Sequence, residues 1–169
     1  MNPAPVWALS LAYWLHMLAT IAWIGGLAAL LLLVLPAARQ GLEPGDYAAL
    51  LERIQRRLDP LSWFSLAVLL GTGMFQMSAS PNYQGFLAIT NRWSTAILVK
   101  HLFFLAMIAI SAYLTWGVLP ALRRYALLRA KGAPAEGADR LARREMILLQ
   151  TNFALGVIIL ALTALARAS

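Results

Sequence analysis

No side chain from Met1 to Ala38 carries a charge, and the first that does is Arg39. About 20 apolar residues suffice to cross a bilayer, because a helix rises about 1.5 Å per residue and the hydrocarbon core is about 30 Å thick. No water reaches backbone N–H and C=O groups in that medium, so such a run is confined to a helix that satisfies them internally. Val6 to Pro36 therefore reads as a membrane span with residues to spare. A cleavable leader would show a basic start and a shorter apolar core. This segment opens Asn2-Pro3-Ala4-Pro5 and stays apolar, which reads as a retained helix.

Three further apolar runs follow, and the whole chain of 169 residues is 61% hydrophobic and 12% charged, outside the balance of a soluble domain. The spans expected are residues 6–36, 60–77, 94–120 and 146–166, within a single transmembrane domain covering 1–169. Asp59 and Pro60 suit a cap and first turn at the start of the second span. Before it, Tyr47, Leu50, Leu51, Ile54 and Leu58 recur at helical spacing, and Glu52 sits four residues before Arg56. Two readings of that stretch stand: an amphipathic helix lying at the interface, or an inner extension of the next span. Basic residues concentrate in residues 37–59, with four Arg, and in 121–145, with six Arg and one Lys, whereas 78–93 holds only Arg92. The positive-inside rule then places both basic segments in the cytoplasm and both termini outside.

An internal repeat accompanies this layout. Leu35-Pro36-Ala37-Ala38-Arg39 and Leu119-Pro120-Ala121-Leu122-Arg123 agree at four of five positions, each closing a long apolar helix. The fold expected is an all-α integral membrane four-helix bundle made of two antiparallel hairpins. His16 lies 20 residues before its proline and His101 lies 19 before its own. These are the only two histidines in the chain, and matched depth makes them candidate ligands of one metal or of one b-type haem iron. The competing reading has each imidazole hydrogen-bonding across the bundle. His16, Thr20 and Trp23 share one helical face, with Ala19, Ala22 and Gly26 small enough for close helix approach.

Lys100 stands beside His101 inside an apolar run, and an ionisable residue at membrane depth calls for a partner. No Asp or Glu occurs between Asp59 and Glu136, so neither Lys100 nor Arg92 has a nearby carboxylate in sequence. A bound anion such as a haem propionate would serve Lys100; snorkelling to the headgroups is the alternative. Trp93 and Arg92 also suit interface anchors. Cysteine is absent, which excludes disulfides, zinc–thiolate centres, iron–sulfur clusters and covalent haem attachment by this chain. Met74 and Met77 are candidate thioether ligands for Cu(I), with His16 or His101 as companions. Gln150 and Asn152 are expected in interhelical hydrogen bonds. No nucleophile with its base, phosphate loop, carboxylate dyad or nucleic-acid surface is evident.

Trp14-Leu15-His16-Met17-Leu18-Ala19, Trp23-Ile24-Gly25-Gly26-Leu27, Leu70-Gly71-Thr72-Gly73, Lys100-His101 and Leu119-Pro120 together resemble the membrane domain of the copper-resistance D (CopD) family. That resemblance implies a bacterial inner-membrane protein that handles copper, or binds b-type haem as a redox and electron-transfer subunit beside a membrane or extracytoplasmic protein partner. A weaker likeness in layout, through His16, Trp23, Gly26, Arg56, Arg57, Pro60, Trp93 and Lys100, is to the HemJ-type protoporphyrinogen oxidases. It implies a porphyrin site near His16 and Lys100. A structural membrane subunit without chemistry is the third reading.

Overall fold

The computed structural model describes residues 4–42, 44–85 and 92–168. Among these, four helices are long and apolar enough to cross a membrane. They are α1, Val6–Gly41; α2, Pro44–Ser78; α3, Arg92–Arg129; and α4, Ala138–Ala168. Helix α1 packs along α2, α3 packs along α4, and the middle of α1 rests on α4. Trp63 of α2 stacks on Trp116 of α3 at 5.1 Å between ring centroids, which closes the circuit of four.

The centre is held by Ala19, Trp23, Leu66, Leu69, Met107 and Ile159, with at least one residue from every helix. Large apolar side chains such as Leu33, Phe64, Leu102 and Leu105 point outward, the pattern of a bundle solvated by lipid. Lipid tails are as apolar as leucine, so association rests on close packing and polar ties between helices. Gly156 shows the closeness: a Cβ there would lie 3.4 Å from Ile24 of α1 and 3.8 Å from Met107 of α3. Overfilling such a contact costs about 1–3 kcal/mol. Gly156→Leu is therefore expected to lower the thermal midpoint of the detergent-purified protein, whereas Gly71→Leu, with nothing within 4 Å of its Cβ position, leaves the midpoint unchanged.

Helices α1 and α3 share a backbone device. Leu30–Val34 and Leu114–Val118 are π-turns, and each is followed at once by a Leu-Pro pair, Leu35-Pro36 or Leu119-Pro120. The Leu35 N–H donates to the Leu30 carbonyl and the Leu119 N–H to the Leu114 carbonyl, five residues back in both cases. Proline lacks an N–H and its ring collides with the carbonyl four residues earlier, which ordinarily kinks or ends a helix. One extra residue in the preceding turn widens the helix there, and the chain continues through both prolines. A third π-turn, Ile21–Gly25, carries the buried Trp23.

The helices are longer than the apolar runs that announce them. Asp59 and Pro60 do not start a helix: α2 begins at Pro44 and passes through Pro60, so residues 46–58 are a continuation of α2 rather than a separate surface helix. Helix α3 begins at Arg92 and α4 at Ala138. Hydropathy ends a span at the first charges, but a helix needs only satisfied backbone groups, and charged residues serve it beyond the lipid. Arg56 and Glu52 pair at 2.8 Å across one turn, and Arg123 brings its Nε to 3.6 Å from the same Glu52 carboxylate. The sequence 86–91, within the segment 78–93 between the second and third spans, lies outside the described residues.

Candidate functional site

His16 is half-buried on α1, facing α2. Its Nδ1 lies 2.8 Å from Thr72 Oγ1, and the Thr72 hydroxyl donates to the Val68 carbonyl at 2.6 Å. Because that hydroxyl hydrogen is already committed, Thr72 Oγ1 accepts from His16, and Nδ1 carries the proton. The lone pair of the neutral ring is then on Nε2. Gly73 completes the seat, since a Cβ at that position would lie 3.5 Å from His16 Cε1. One turn further along the same seam, Gln76 donates to the Ala12 carbonyl at 3.1 Å. The Gly-Thr-Gly stretch of α2 thus has two separate uses, a hydrogen-bond acceptor and an open place beside the imidazole.

His101, half-buried on α3, donates from Nδ1 to the Ile97 carbonyl one turn back, at 2.7 Å. Its lone pair is likewise on Nε2. Counted along their helices from Val6 and Arg92, His16 lies about 15 Å and His101 about 14 Å in. Neither hydrogen bond joins one imidazole to the other; each ties its ring to α2 or to its own helix. A donated Nδ1–H with the lone pair on Nε2 is the usual state of a histidine that binds a metal.

The other candidates fall in different surroundings. Met77 is buried, whereas Met74 is 38% exposed, so the two thioethers stand in different surroundings. Trp23 is core, and Arg92 is exposed at the start of α3. Lys100 is half-buried and engages other groups of the protein, so its position does not by itself demand an external anion. Among the described residues no three His, Asp or Glu side chains gather into a metal-binding group.

A second polar layer lies toward the arginine-rich end. Thr115 donates to Asp59 Oδ1 at 3.0 Å and accepts from Trp63 Nε1 at 3.3 Å. Gln55 donates to the carboxylate of the buried Glu145, and Asn152 Nδ2 donates to Ser111 Oγ at 3.0 Å. The expected interhelical bond of Asn152 is present; Gln150 is instead exposed. A cavity of about 70 Å³ opens between these groups, beside Trp23 and Gly26. Sequence reading takes Asp59 for a cap and passes over Glu145, Gln55 and Ser111, because each stands beside charged residues or in a common membrane composition. The signal available was helical phase: Asp59 and Ser62-Trp63 lie on one face of α2, one to two turns from Gln55.

No curated protein and no solved structure matches the chain. A family model described as copper resistance protein D matches residues 52–166. The match includes Gly71, Thr72, Gly73 and His101 and leaves His16 outside it. It spans more than half of a chain whose helices are built to cross a membrane, and the chain belongs to the copper resistance protein D family.

Proposed function

We propose that the protein handles copper within the membrane, with His16 and His101 presenting Nε2 to the metal and Met77 supplying a thioether nearby. The observation that supports this most is the tautomer of the two rings: both donate Nδ1–H to an oxygen, as metal-binding imidazoles ordinarily do. The family match supplies copper as the metal. The donor chemistry agrees, since imidazole and thioether suit copper and a cysteine-free chain has no thiolate to draw zinc instead. Copper here is cargo, bound in the half of the bundle opposite the arginine-rich segments. The positive-inside rule assigns that half to the outer side, where an extracytoplasmic copper protein would meet it.

Anaerobic titration of detergent-purified protein with Cu(I), against bicinchoninate as competitor, tests this. Stoichiometric copper is expected, with affinity reduced at least about tenfold in His16→Ala and in His101→Ala. Equal affinity in both variants and the parent would remove the imidazoles from the site. Expression with ample haem is the companion measurement. A Soret band that disappears in the same variants would replace copper by b-type haem and make the protein an electron-transfer subunit.

A further inference from the structure

The cavity between Gln55, Asp59, Ser62, Ser111, Glu145 and Asn152 belongs to neither histidine. Asn152 is only 4% exposed and lines this space, and with Nδ2 given to Ser111 its Oδ1 is buried without a hydrogen-bond partner. A buried carbonyl oxygen of this kind is normally satisfied, so its orphaned state points to a missing occupant. The remaining polar wall is also rich in acceptors. Glu145, 5% exposed, is held by the neutral amide of Gln55, and Asp59 by the neutral hydroxyl of Thr115. The lining itself contains no Lys or Arg, and the opposing charge that acts on Glu145, Arg39, lies outside it.

Two carboxylates and an amide oxygen around about 70 Å³ leave space for several waters, since each needs roughly 10–15 Å³ of such volume. Oxygen donors favour hard cations, and a magnesium-like ion keeps most of its water while taking one or two carboxylates. The same donor set is a poor match for Cu(I). We propose that this cavity is a binding site for a hydrated divalent cation of the Mg²⁺/Mn²⁺ class, held by Asp59, Glu145 and Asn152 and separate from the copper-binding histidines. Nothing in this assignment depends on the copper reading. Its position, walled by the π-turn residues Trp23 and Leu114, would let bound cation stiffen α1 and α3 where both depart from α-helical register.

Mn²⁺ is the probe: binding removes the six-line electron paramagnetic resonance signal of the free ion, read on detergent-purified protein stripped with chelator. Saturable Mn²⁺ binding, displaced by Mg²⁺ and not by K⁺, is expected. Glu145→Gln and Asp59→Asn should each weaken it at least about tenfold, and Asn152→Asp, which keeps an oxygen in place, should retain it. Metal-free thermal midpoints identify any variant that fails to fold, and Asp59→Asn, which preserves the acceptor for Thr115, carries the test if Glu145→Gln is lost. Undiminished binding in folded Asp59→Asn and Glu145→Gln would assign the ion to the surface and overturn the proposal. Absence of Mn²⁺ binding by the parent would leave a cavity filled by water alone and overturn it equally.

Discussion

Thr72→Val is expected to weaken Cu(I) binding about ten- to a hundredfold while the helices stay assembled. Valine has nearly the shape of threonine, so the packing of α2 against α1 is kept and only the oxygen is removed. That oxygen is what accepts the His16 Nδ1–H, its own hydrogen being committed to the Val68 carbonyl. Without it the ring loses the Thr72 bond that holds Nδ1 as the donor, and the proton can move to Nε2, the nitrogen assigned to the metal. His101 has no equivalent weak point, because its acceptor is the main-chain carbonyl of Ile97. The asymmetry is itself a check: Ile97→Val should leave copper binding unchanged. Thr72→Ser should lie close to the parent in the same bicinchoninate competition. Equal affinity in Thr72→Val and the parent would show that His16 is held for structure alone.

The membrane character and the number of spans were legible from charge spacing, because lipid leaves a long uncharged segment no alternative to helix. The ends of the helices were not. Pro44 and Ala138 begin helices 16 and 8 residues ahead of the expected spans and Arg92 only 2 ahead, since the headgroup region tolerates charged helical turns. Pro60 misled for a related reason: at a hydropathy boundary a proline reads as a first-turn residue, yet α2 continues through it. His16 and His101 could be singled out as rare ionisable groups at depth. The choice of Thr72 as the acceptor for His16 depends on helix rotation, which no spacing rule supplies across 56 residues of sequence, whereas Ile97 is simply one turn back from His101. Met74 and Met77 show the same limit, being three residues apart yet one exposed and the other in the core. The polar layer around Asp59 and Glu145 was hidden because its members are distributed over α2, α3 and α4, and each alone resembles an ordinary interfacial residue. The Leu-Pro repeat was visible as sequence, but the π-turn that lets each proline sit within a helix is a backbone property with no residue signature of its own.

Thr115→Val should lower stability by about 2–4 kcal/mol, the largest loss expected from a single hydroxyl in this protein. The π-turn Leu114–Val118 sets Leu114 and Thr115 toward the interior while Trp116 is left 70% exposed. Thr115 then stands between α3 and α2, giving its hydrogen to Asp59 Oδ1 and accepting from Trp63 Nε1. An average interhelical hydrogen bond in a membrane contributes only about 0.6 kcal/mol, because separated helices find other partners. Removing the shared hydroxyl is different, since it takes the partner from a half-buried carboxylate oxygen and a half-buried indole N–H together, at about 1–2 kcal/mol each, the lower part of the range for such groups. Unfolding in mixed detergent titrations, followed by far-ultraviolet circular dichroism, gives the comparison. Thr115→Ser keeps both bonds and should fall near the parent. Asp59→Asn keeps an acceptor for Thr115 and removes the charge, so it separates the cost of the stranded ion from that of the lost bond. If Asp59→Asn rescues Thr115→Val in the double variant, the Asp59 carboxylate is the dominant penalty. If the double variant is as unstable as Thr115→Val alone, the indole of Trp63 and its stack on Trp116 carry it. A Thr115→Val protein as stable as the parent would show that the α2–α3 seam is held by ring stacking without this relay.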